Sequence, residues 1–156
     1  MSARAKKYMA VESLGSGIVN GILNWVAAYA LFHGRTLIPT EGRNGLVLDL
    51  VGETFLVVFL SMWAAFHISR HRRRAGKLPV YESASRPPQR RLWLRPLITG
   101  TIFTCVLVPC NALLLPRLFP GGLSFGQVIW FKTLYGTLLG AIATYLALRI
   151  SLREIE

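Results

Sequence analysis

Four long apolar blocks, at about 13–33, 45–69, 94–116 and 123–149, constrain this chain more than any other feature. Each is close to the roughly 20 residues that a helix needs to cross about 30 Å of hydrocarbon. A helix bonds every backbone amide within its own segment, so it can sit in lipid where an open strand cannot. Hydrophobic residues make up 53% of the 156, and they are gathered into these runs rather than spread over the positions of a soluble core. The sequence therefore predicts an all-α integral membrane protein with four transmembrane helices in one membrane domain. The first block is too long for the apolar region of a signal peptide, and Asn20 and Asn24 interrupt it. No small-residue cleavage site follows it, so it reads as a retained span.

The net charge of +11 is placed unevenly. Arg4, Lys6 and Lys7 precede the first block, nine basic residues lie between Arg70 and Arg95, and Arg149 and Arg153 close the last block. These are fourteen of the eighteen lysines and arginines, whereas the other two connections hold only Arg35, Arg43 and Arg117. By the positive-inside rule, both termini and the central basic loop, about 70–93, are expected in the cytoplasm. Basic residues that flank spans also attract anionic headgroups, at about 1 kcal/mol each. Membrane lipids, including anionic headgroups at the cytoplasmic face, are thus the expected partners. No nucleic-acid motif accompanies the charge, and no nucleic acid is expected.

Sliding the chain by 79 residues aligns its landmarks without a gap. Gly21 meets Gly100, Gly42 meets Gly121, Thr54 meets Thr133, and Arg70 meets Arg149. This predicts two tandem helical hairpins in parallel orientation, one over about 13–69 and the other over about 94–149. Small transporters are often built from such repeats.

The same shift sets Glu53 against Lys132. Each lies about eight residues inside its span, roughly 12 Å of descent at the helical rise. An isolated charge at that depth costs several kcal/mol, so the two are expected to pair. Glu53, Lys132, Asn20 and Asn24 form the expected polar centre. Asp49 sits nearer the end of its span and reads as interfacial. On a straight helix face Asp49, Glu53 and His67 align, with His71 beyond, which marks Asp49, Glu53 and His67 as a candidate proton path with a long apolar gap before His67.

Small residues recur at helical spacing in the first and fourth blocks. Gly17 and Gly21 in one, and Gly136 and Gly140 in the other, read as helix-packing positions that let backbones approach closely. Pro109 in the third block removes a backbone hydrogen bond, and Thr101, Thr104 and Asn111 are placed to satisfy the freed groups. Cys105 and Cys110 point about 140° apart on one helix and cannot readily pair. They read as small hydrophobes.

Nothing in the sequence supports catalysis. It holds no metal-ligand cluster, no nucleophile with a base at triad spacing and no phosphate-binding glycine loop. No catalytic residue, metal or cofactor is expected. The segments "VNGILNW", "LDLVGETFLVVFL" and "FGQVIWFKTLYGTLLGAIAT" resemble those of a set of small, mostly uncharacterised four-helix inner-membrane proteins of Gram-negative bacteria, some of which carry a permease label by name only. That resemblance implies a multi-pass protein of the bacterial inner membrane. Together these readings predict a small transporter or channel-like protein for a small solute or ion, with an accessory subunit of a larger membrane complex as the alternative. Four short helices enclose little space, so a homo-oligomer or a membrane-protein partner is expected.

Overall fold

The computed structural model describes residues 3–43, 45–75 and 93–153. Four helices occupy the four apolar blocks: α1 (Ala3–Phe32), α2 (Leu46–Arg74), α3 (Leu94–Leu118) and α4 (Phe125–Arg153). All four are long and apolar enough to cross a membrane. The basic connection lies for the most part, at 76–92, outside the described residues. α1 starts at Ala3 rather than near 13, which carries Tyr8 and Met9 into contact with α2 and α4. Burial of Met9, 2% exposed, rewards that N-terminal extension.

The two connections at the other end are tied together. β1 (Leu37–Ile38) pairs antiparallel with β2 (Leu123–Ser124), Leu37 opposite Ser124 and Ile38 opposite Leu123. Gly34, at φ 83, ends α1 in the left-handed conformation that a side chain resists. Gly122, at φ 91, brings the chain so near β1 that a Cβ there would sit 2.6 Å from the Ile38 carbonyl oxygen. α4 then starts from a capping box. Gln127 Oε1 accepts from the Ser124 amide at 2.8 Å, and the Gln127 amide donates to Ser124 Oγ at 3.4 Å. The start of α2 is held instead by loop carbonyls, with Leu46 N donating to Pro39 O and Val47 N to Thr40 O.

The helices do not pack as two self-contained hairpins. α1 lies along α4 and touches α2 only lightly, while α2 lies between α4 and α3. Each first helix therefore packs on the second helix of the other half, and the contact pattern survives exchange of the halves. α2 and α4 form the central pair and run parallel, since Asp49 meets Lys132 and Thr54 meets Tyr135. The 79-residue shift also carries the limits of α2, Leu46 and Arg74, onto those of α4, Phe125 and Arg153.

Burial advances along these helices in steps of four. Leu50, Thr54, Val58, Met62 and Phe66 are buried on α2, and Met9, Ser13, Gly17 and Gly21 on α1. Such ridges interlock when helices cross, and each step drifts about 40° around the helix. Two apolar clusters result. One, at the strand end, includes Phe32, Ile38, Leu46, Leu50 and Val128. The other, towards the termini, includes Met9, Val57, Met62, Ala143 and Leu148.

α3 is the outlying helix, with only 6% of its apolar window buried. It continues through Pro109 and Pro116. The expected rescue of Pro109 does not occur. Proline 109 leaves the Cys105 carbonyl without its amide, yet Thr101, Thr104 and Asn111 donate to the carbonyls of Leu97, Gly100 and Leu107. Each reaches back four residues on its own helix, a geometry that places none of them at the Cys105 carbonyl.

Candidate functional site

The side chains of Asp49 and Glu53 from α2 and Lys132 from α4 meet between the two apolar clusters. Lys132 is 1% exposed and its Nζ forms ion pairs with Asp49 Oδ2 and with Glu53 Oε2, the latter at 3.1 Å. Glu53 is 5% exposed at the side chain and Asp49 21%. Neither Glu53 oxygen has a hydrogen-bond partner. The Phe32 ring of α1 covers the ammonium at 5.5 Å, a cation–π contact. Beside the cluster, the hydroxyls of Thr54 and Tyr135 share a hydrogen bond of 2.7 Å that joins α2 to α4.

From this cluster a polar ladder descends between α1, α2 and α4. Asn24 lies against Gly136 and Asn20 against Gly140, because only a glycine leaves room for the amide. Asn24 Nδ2 donates to Asn20 O at 2.9 Å, and Asn20 Nδ2 donates to Ser61 Oγ of α2 at 3.0 Å and to Ser16 O at 2.8 Å. Thr144 of α4 donates to Ser16 Oγ at 2.7 Å. Every four residues forward in α1 match four residues back in α4, so Ser16, Asn20 and Asn24 oppose Thr144, Gly140 and Gly136. On α2 the row Asp49, Glu53, Val57, Ser61, Ala65, Ser69 has the same step. Towards the termini, the hydroxyls of Tyr8, Ser13 and Ser69 are buried without a protein partner. At that edge Arg72 bonds Glu12 at 2.6 Å and lies over the Tyr8 ring.

Glu53, Lys132, Asn20 and Asn24 all lie on this ladder, and Asp49 belongs to its ionic head rather than to the interface alone. His67 lies elsewhere. It is exposed, its ring 4.4 Å from that of Trp63, with Nδ1 at 3.1 Å from the Trp63 carbonyl. A straight face containing Glu53 returns to His67, but the four-residue ridge that follows the crossing helices reaches Ser61 and Ser69 instead. Gly17, Gly21, Gly136 and Gly140 all sit at the α1–α4 contact, where a Cβ on Gly17 would come within 2.8 Å of the Thr137 carbonyl oxygen. Ser61, Tyr135 and the Glu12–Arg72 pair were not singled out by sequence, and Thr54 stood out only as a landmark of the repeat. For Ser61 the signal was present, two four-residue steps beyond Glu53. Among the described residues no group of three histidines, cysteines or acids is placed to hold a metal.

The outer faces of all four helices are apolar. Leu14, Ile22, Leu56, Ile102 and Leu138 are each more than half exposed, a surface suited to acyl chains and not to water. With four helices of spanning length, this fits a multi-pass helical membrane protein that encloses a polar, charged interior. No family model, curated protein or solved structure matches the chain.

Proposed function

We propose that this is a small transporter or channel-like protein of the bacterial inner membrane, moving a small solute or ion along the ladder between α1, α2 and α4. The observation that carries this reading is the buried head group of two acids and one base continuing into a row of amides and hydroxyls. One acid and one base would be enough to fasten two helices. A third charge and partnerless hydroxyls at the far end are costly as mere packing, and polar rows inside membrane helices commonly mark substrate or ion routes. The basic termini and central connection favour a cytoplasmic terminal end, which places the β1–β2 end outside.

The alternative, an accessory subunit, draws on the bareness of α3. Thiol accessibility separates the two. With Cys105 and Cys110 replaced by alanine, Ser61→Cys and Thr144→Cys should react with a water-soluble thiosulfonate in intact membranes if the ladder is wet. Both remaining inert, while a cysteine at exposed Arg35 reacts, would leave a dry packing seam and remove the transport reading.

A further inference from the structure

The ionic head of the ladder does not balance. Asp49 and Glu53 carry one negative charge each when ionised, and Lys132 alone opposes them, which leaves one negative charge in an apolar surround. The neighbouring helices do not supply the missing cation. α4 presents Lys132 and the Tyr135 hydroxyl, and α1 presents the Phe32 ring. The other cationic or titratable side chains towards this end, His33, Arg35 and Arg117, lie at or beyond helix ends, and Arg35, which packs over the outer part of the Phe32 ring at 5.8 Å, is exposed to solvent. Leu50, Val57 and Val58 on α2 and Val128 on α4, neighbours in sequence of the three charged residues, are buried and apolar. A lone charge so enclosed is strongly disfavoured, and carboxyl pairs in such places hold a proton between them.

We propose that this cluster is a site for one exchangeable proton, carried by Glu53 and reached through Asp49. This rests on the transport reading and names the transported or coupled ion. The assignment to Glu53 follows from the geometry. Lys132 bonds Asp49 Oδ2 and forms only an ion pair with Glu53 Oε2, whereas neither oxygen of Glu53, on a side chain 95% buried, accepts a hydrogen bond. Asp49, in the first turn of α2 and a fifth exposed, is the group that meets water. Loading is then the transfer of a proton from hydronium to the Glu53 carboxylate, giving a carboxylic acid and water, with Asp49 relaying it. A metal ion fits less well, because the ammonium of Lys132 already stands between the two carboxylates. Onward movement follows Asn20, Ser61, Ser16 and Thr144, not His67.

Two readouts test this on the full chain in liposomes. Infrared difference spectra of the wild type should contain a protonated-carboxyl C=O stretch that shifts in D2O and is lost in Glu53→Gln. Under a potassium diffusion potential, inside negative, a trapped pH dye should report acidification faster than in protein-free vesicles. Glu53→Gln and Asn20→Leu should bring that rate down to the protein-free level, and Asn20→Leu should keep the infrared band. Glu53→Gln leaves a balanced Asp49–Lys132 pair, so it should fold, which its thermal unfolding checks. Absence of the band, its loss in Asp49→Asn instead of Glu53→Gln, or acidification no faster than without protein would overturn the proposal. Uptake of thallium by the same vesicles without acidification would do so too, while leaving the transport reading standing.

Discussion

Glu53 and Lys132 stand 79 positions apart in the chain and 3.1 Å apart in space, one from each half, on the two parallel helices at the centre of the molecule. Asp49 makes the arrangement three-way, so that among the described residues the lysine is the one cation paired with the two acids. The stability of the protein should therefore respond asymmetrically to the three residues.

Neutralising either acid alone keeps one carboxylate against Lys132. Glu53→Gln and Asp49→Asn should each fold with little loss. Lys132→Met leaves the buried Glu53 and the partly exposed Asp49 without a cation, and Asp49→Asn with Glu53→Gln leaves a buried ammonium without an anion. Each of these should cost about 3–5 kcal/mol, the usual penalty for orphaning a buried charge. Thermal unfolding in detergent ranks the four proteins, and a Lys132→Met protein as stable as the wild type refutes the shared-lysine account.

The α1–α4 seam depends on glycine in a way that other glycines do not. A Cβ on Gly140 would come within 2.8 Å of Asn20 Cβ, and one on Gly17 within 2.8 Å of a backbone carbonyl. Gly140→Ala and Gly17→Ala should each lose about 1–3 kcal/mol through overpacking. Gly52, on α2, has open space around it. Gly52→Ala should be neutral or gain up to about 1 kcal/mol from helix propensity. Comparing the three melting temperatures decides the matter; a Gly52→Ala protein as damaged as Gly140→Ala would contradict it.

Asn20 carries the link across the ladder to α2. Ser61→Ala removes its acceptor and should cost about 0.6 kcal/mol, and at most about 2 kcal/mol, in line with interhelical hydrogen bonds in membranes. The more telling measurement is a double-mutant cycle with Asn20→Ala. Additive losses would mean that the 3.0 Å bond contributes no coupling.

At the terminal edge the Glu12–Arg72 pair is short, yet Arg72 is 40% exposed and Glu12 25%. Solvent screening reduces such a pair to about 0–1 kcal/mol. Arg72→Gln should shift the melting temperature only slightly, and the shift should shrink as salt rises. A large, salt-independent loss would show instead that the Arg72 stem packing on Tyr8 dominates.

Four spanning helices were legible from the chain alone, because apolar length is a local property and lipid demands it without reference to any partner. The pairing of Glu53 with Lys132 was legible too, since two opposite charges at equal depth have few other ways to be satisfied. Asp49 is partly exposed, as its place in the first turn of α2 suggests, but that position alone said nothing of its pairing with Lys132 across the helix contact. The exchange of partners between the halves, α1 onto α4 and α3 onto α2, is a matter of tertiary contacts. So is the route of the ladder. A helix read in isolation offers a straight face, and that face led to His67. Crossing helices bury a four-residue ridge that winds around each of them, and winding turned the buried row away from His67 towards Ser61 and Ser69.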